Sequence, residues 1–200
     1  MANVKNNLGA QRTRASIEHA FLDLASHMPI QKITVAQIVQ RCQISRGTFY
    51  LHFCDVYDLA EKIGESLLDG LEAELAACLD EVNSHKGDFP FLHVLVAYIE
   101  NNGERAAFAF SNNVAPATRE RMGLLMERFC ADALSSDFDG VSGESRVVLS
   151  AYVGSGIFGL IERWVADGCK ADAKEVARLA GTLIVHGSKG VRAMTPESVG

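Results

Sequence analysis

Ile33-Thr34-Val35-Ala36-Gln37-Ile38-Val39-Gln40-Arg41-Cys42-Gln43-Ile44-Ser45-Arg46-Gly47-Thr48-Phe49-Tyr50-Leu51-His52-Phe53 decides how this chain is read. Val35, Ile38 and Val39 follow helical spacing, with Thr34 placed as an N-cap. Cys42-Gln43-Ile44 makes a tight turn, and Ser45 caps a second short helix. Ile38, Ile44, Phe49 and Phe53 then pack inward. Arg46, Gly47, Thr48, Tyr50 and His52 face away from that core. One charge, two hydroxyls and an imidazole on one outward face are groups that bond phosphates and base edges. Gly47 is poor helix material; close approach of a DNA backbone accounts for it, and so does a tolerated first-turn glycine. Ser45 has no Glu three residues on, which leaves the helix N-terminus free to attract phosphate.

The flanking sequence is helical as well. Ile17, Ala20, Phe21 and Leu24 fall at i, i+3, i+4 and i+7, and Pro29 closes that helix. From Asp55 a long helix carries the stripe Leu59, Ile63, Leu67, Leu71, Leu75 and Leu79, interrupted only by Gly64 and Gly70. His85 to Asp88 reads as a loop. A helix follows over Phe91–Ile99, ended by Asn101-Asn102-Gly103, and then a shorter one through Phe108. Pro116 starts another, with Met122, Leu125, Met126 and Phe129 on one face. Ser135–Gly143 reads as a loop, and two helices at about 144–166 and 172–187 are parted by Asp167-Gly168. No strand pattern occurs. The prediction is an all-α chain of about nine helices: a three-helix head over residues 1–58 and a larger helical body over 59–200.

Composition narrows the function classes. The chain has 200 residues, 48% hydrophobic and 22% charged, which suits a folded core. No apolar run approaches the ~18 residues of a membrane span, and Met1–Gln11 lacks the apolar stretch of a secretion signal. A cytoplasmic protein with no membrane partner is expected. Net charge is −6, but residues 1–54 carry six bases (Lys5, Arg12, Arg14, Lys32, Arg41, Arg46) against Glu18 and Asp23, so the head is +4 and the remainder −10. A basic head can meet phosphate while an acidic body repels it. The five cysteines, Cys42, Cys54, Cys78, Cys130 and Cys169, form no CxxC pair, so neither a zinc site nor a disulfide framework is expected. The six histidines lack metal-ligand spacing and no serine stands in GxSxG, so no enzyme, metal or cofactor is expected.

The ordered pattern Ile33-Thr34, Ile38, Ile44-Ser45-Arg46-Gly47-Thr48-Phe49-Tyr50, His52-Phe53 and Asp55 to Leu59 resembles the TetR/AcrR family of transcription regulators over the first 60 residues. The resemblance implies a ligand-responsive homodimer that binds a palindromic operator in double-stranded DNA. Tyr50 and His52 would contact the DNA backbone, and Arg46, Gly47 and Thr48 would read bases. Thr34, Ser45 and Leu51 complete the expected DNA-binding set. Two positions depart from the family pattern. Cys42-Gln43 replaces the usual Ala-Gly, which asks Gln43 for an unfavourable backbone angle. Val56 replaces the usual Lys, so one phosphate contact is missing and Val56→Lys should tighten binding to any duplex.

In the body, the resemblance implies an effector cavity among the middle helices, with Phe91, Leu95, Tyr98, Phe108, Met122, Met126, Phe129 and Tyr152 as lining candidates. Such a set suits a mostly apolar small molecule. It also implies that the last two helices pair with their twins, through Val153, Ile157, Leu160, Trp164, Leu179 and Leu183. A helix apolar on all sides needs cover on both. Gly154-Ser155-Gly156-Ile157-Phe158-Gly159 spells GxGxxG, but no strand precedes it, so it reads as helix packing rather than a nucleotide site. The alternative reading is an all-helical small-molecule binder or enzyme that has lost DNA binding.

Overall fold

The computed structural model describes residues 2–81, 89–133 and 143–194. The loops expected at 85–88 and within 135–142 lie outside the described residues. Nine α-helices and no strand occur among the described residues: α1 (Ala2–Ala25), α2 (Val35–Cys42), α3 (Arg46–Tyr50), α4 (Val56–Glu81), α5 (Pro90–Asn101), α6 (Gly103–Ala109), α7 (Pro116–Ala133), α8 (Gly143–Ala166) and α9 (Ala173–Met194), with one 3₁₀ turn at Ile30–Lys32. The chain is all-α. α1 reaches back to Ala2, well before its first apolar residue in the core. Adding turns to a formed helix costs little, so a polar extension needs no apolar stripe to announce it.

The helices pack around two apolar clusters. The first joins Ile17 and Phe21 of α1, Ile38 of α2, Phe49, Phe53 and the start of α4 as far as Ile63. The second begins at Leu67 and runs through α5, α7, α8 and α9. α4 therefore belongs to both. At 26 residues it spans about 40 Å. Its start is fastened by Asp55 and Asp58: the Asp58 amide donates to Asp55 Oδ1 at 2.8 Å, and the Cys54 amide donates to Asp58 Oδ2 at 2.7 Å. Reciprocal capping of this kind satisfies amides that have no helical partner. The side chain of Leu79 lies outside the described residues.

The two α4 glycines are packing devices. A Cβ on Gly64 would stand 2.8 Å from the Thr118 methyl of α7. A Cβ on Gly70 would collide with the Tyr98 hydroxyl of α5, which donates to the Leu67 carbonyl at 2.9 Å. In α8 a Cβ on Gly154 would come within 3.0 Å of the Glu127 backbone of α7, while Gly156 and Gly159 face open space.

Head and body are tied through α6 and the turn after it. Phe108, expected in the effector cavity, sits in the head cluster, edge-on to Phe21 with ring centroids 5.2 Å apart. Its position on a seven-residue helix laid against α1 takes it away from the body core. Glu18 is 5% exposed and receives both Arg14, at 2.9 Å, and Arg105 of α6. A carboxylate this deep needs such partners. The Asn113 side chain donates to the Ala25 and Met28 carbonyls at 2.9 and 3.2 Å and accepts from the Ile30 amide at 3.0 Å.

Candidate nucleic-acid interface

Local backbone chemistry sets the angle between α2 and α3. Thr34 and Gln37 form a capping box at the start of α2: the Gln37 amide donates to Thr34 Oγ1 at 3.3 Å and the Thr34 amide donates to Gln37 Oε1 at 2.8 Å. α2 ends with Gln43 in the left-handed region, φ 55° and ψ 41°. The Gln43 amide donates to the Gln40 carbonyl at 3.4 Å and the Ile44 amide to the Val39 carbonyl at 3.1 Å. That pair of bonds is a Schellman closure, which normally uses glycine. The chain reverses there and Ile44 drops onto the head cluster. α3 then opens at Ser45, whose Oγ accepts from the Thr48 amide at 3.0 Å.

Five residues of α3 therefore expose one side. Phe49 is fully buried, and Phe53 just beyond the helix packs with it at 5.8 Å between ring centroids. Arg46, Gly47 and Tyr50 are exposed, Thr48 and His52 half-buried, and Leu51 exposed. Thr34 is exposed although its hydroxyl serves the cap. The Thr48 hydroxyl lies 2.9 Å from Ser45 Oγ, so both hydroxyls already share one hydrogen bond. A Cβ on Gly47 would meet only Ser45 Oγ, at 3.6 Å, an ordinary contact. No packing within the protein calls for a glycine there.

Two of the head's bases pair with its two acids, which the +4 excess already counts. Arg14 goes to Glu18 and Arg41 to Asp23. Arg46 pairs with no carboxylate among the described residues, so its guanidinium is available on the α3 face. Val56 is 7% exposed and part of the head cluster. The expectation that Lys at this position simply adds a phosphate contact needs correction: its ammonium would have to emerge from beneath apolar neighbours, at a packing cost. The exposed neighbour is Tyr57.

Of the residues expected at the effector cavity, Leu95, Tyr98, Met122 and Met126 line one enclosed space among α4, α5, α7 and α8, together with Phe110 and Phe158. Phe91 and Phe129 are buried in the body cluster but do not line it. Tyr152 is 77% exposed, on the outer side of α8, and does not line this space. The cavity measures about 20 Å³, room for about one water. Of the expected pairing residues, Ile157 and Trp164 are buried in the subunit's own core, and Trp164 Nε1 donates to the Ala171 carbonyl at 2.9 Å. They sit one α-helical face away from the exposed side. Val153 and Leu160 are half-buried, and Leu179 and Leu183 are exposed. Sequence reasoning missed Val148 and Tyr152 as members of that exposed side.

A helix-turn-helix head joined by one long helix to an all-helical body defines the class of this protein. Residues 89–186 match a TetR family model, described as "Transcriptional regulator C-terminal region". The chain is 31% identical over 61 residues to the uncharacterized HTH-type transcriptional regulator YxbF of Bacillus subtilis (strain 168), a match that takes in 30% of this chain and 16% of that protein. Similar folds include the fatty acid degradation regulator FadR of Bacillus halodurans, with TM-score 0.65 and 13% identity over 88% of this chain and 95% of that one. NalD of Pseudomonas aeruginosa, a secondary repressor of the MexAB-OprM multidrug efflux pump, has TM-score 0.64 and 16% identity over 90% and 96%. PfmR of Thermus thermophilus has TM-score 0.64 and 21% identity over 85% and 97%. The family model takes in just under half of this chain, and the solved structures show that it shares the fold of TetR-family regulators. No helix among the described residues is long and apolar enough to cross a membrane.

Proposed function

We propose that this chain is a ligand-responsive regulator that reads a palindromic DNA operator as a homodimer. The observation that carries the reading is the α3 face: Arg46, Gly47 and Tyr50 stand outward on a helix whose other side is sealed by Phe49. A helix held this way fits the major groove, with Arg46 and Thr48 toward base edges and Tyr50, His52, Thr34 and Ser45 toward phosphates. Reading two half-sites takes two copies. The exposed Val148 and Tyr152 of α8 and Leu179 and Leu183 of α9 favour pairing of these helices with their twins. An apolar effector among α4, α5, α7 and α8 would have to widen the closed cavity. Because α4 crosses both clusters, and Arg105 and Asn113 grip α1 and its following turn, that widening would change the spacing of the two heads. A coupling of ~1–3 kcal/mol is enough to regulate.

Mobility-shift titration against the DNA upstream of the chain's own coding sequence tests this. The wild type should retard that duplex. Arg46→Ala combined with Tyr50→Ala should abolish retardation, with the sedimentation coefficient unchanged. Equal retardation by both proteins would remove the reading.

A further inference from the structure

Before its packed half, α1 is a bare and basic helix. The head core takes in α1 from Ile17 onward, yet the helix begins at Ala2, an overhang of about 22 Å. From Leu8 to Ser16 every residue is exposed except the half-buried Thr13. The charges there have one sign: residues 1–17 hold Lys5, Arg12 and Arg14, and the first acid of the chain is Glu18. Arg14 is engaged by Glu18. Arg12 is exposed and pairs with no carboxylate among the described residues. Contacts along α1 fix where the overhang leads. Ala25, at the end of the helix, is held by Asn113, which follows α6, and Glu18 is held by Arg105 of α6. Nearer the start, the neighbours belong to the reading elements: the Arg14 guanidinium stands 5.7 Å from the centre of the Phe53 ring, and Cys42, the last residue of α2, donates to the Ser16 carbonyl at 3.3 Å. Followed towards its start, α1 leaves the body and passes the ends of α2 and α3. Arg12 shares a helical face with Asp23, at i and i+11, and Asp23 pairs with Arg41 of α2. An unpaired guanidinium on a basic rod beside the reading helix suits the phosphates of the same duplex, just outside the groove that α3 enters. We propose that the α1 overhang is a second DNA contact, with Arg12 on a flanking phosphate, adding affinity without sequence preference. Its placement rests on α3 lying in the major groove, whereas its charge needs no particular sequence.

Salt titration of binding on two duplexes tests this: the DNA upstream of the coding sequence, and a scrambled duplex of equal length. Each phosphate contact adds about 0.9 to the slope of log affinity against log salt. Arg12→Ala should lower the slope by about that amount per copy on both duplexes and weaken both about fivefold or more at ~0.1 M salt, with helical content unchanged. Arg12→Lys should restore the slope. Lys174→Ala, which removes an exposed charge from α9, should leave it as in the wild type. A slope that responds to Arg12 on both duplexes, with no preference for the upstream one, would keep the overhang contact and remove the operator reading. A slope unchanged by Arg12→Ala, a loss confined to the upstream duplex, an equal loss with Lys174→Ala, or no binding to either duplex at low salt would overturn the overhang contact.

Discussion

Gln43 holds a backbone angle that most residues avoid. Its φ of 55° costs an L-residue about 1–2 kcal/mol, and the Schellman bonds around it show why the chain accepts the cost: without the reversal, Ile44 would leave the head core. Gln43→Gly relieves the strain but adds freedom to the unfolded chain, about 0.5–1 kcal/mol against it. The Gln43 side chain is exposed and loses no packing. A net gain of about 0.5–1 kcal/mol is expected, visible as a higher urea midpoint with an unchanged slope. This position was legible in the sequence because a turn of three residues between two capped helices leaves few angles to choose from. Val56 was not. Its family position suggested an exposed basic contact, whereas burial depends on how α4 leaves α3, which no local pattern encodes.

At the scale of the element, α4 shows what helical periodicity reports and what it omits. Its stripe from Leu59 to Leu75 is buried as spaced. Gly64 and Gly70 looked only like weak helix formers, because the groups that need their missing side chains, Thr118 and Tyr98, lie far along the chain. Gly70→Ala would gain helix propensity, about 1 kcal/mol. It would also force the Tyr98 hydroxyl off the Leu67 carbonyl and leave that buried hydroxyl without its acceptor, at about 1–3 kcal/mol. We expect a net loss of stability in thermal unfolding; a gain would show that Tyr98 relocates freely. α4 is also clamped to α7 by charge. Glu72 accepts from Arg128 at 2.7 Å and from Arg121 at 3.2 Å. The Arg128 hydrogen bond, aided by the Arg128 charge and by the hydrogen bond and charge of Arg121, holds its carboxyl below the ordinary value of 4.5 against the opposing effect of burial. A carboxyl depressed on folding stabilises above its unfolded value and loses that contribution as pH falls through the folded one. Glu72→Gln should therefore lower the urea midpoint near neutral pH, and the difference from wild type should shrink as pH drops below 4.5. A pH-independent difference would mean that the arginines do not sense its charge.

For the whole molecule, the sequence revealed an all-α chain but left the sidedness of the last helices open. α8 is apolar over much of its circumference, so spacing could not tell Ile157 and Trp164, which face the subunit's own core, from Val148 and Tyr152, which face outward. The head–body junction was equally hidden, since Glu18–Arg105 and the Asn113 bonds join segments that share no local pattern. The proposed function turns on contact between the outward side of α3 and duplex DNA. Gly47→Ala separates that role from folding most directly, because a Cβ there meets nothing closer than Ser45 Oγ at 3.6 Å. Measured side by side, the melting temperature of Gly47→Ala should match or slightly exceed the wild type, by up to about 1 kcal/mol of stability, while affinity for the retarded upstream duplex, read by fluorescence anisotropy, should fall at least tenfold. Undiminished affinity in an equally stable protein would contradict a DNA surface closing over Gly47.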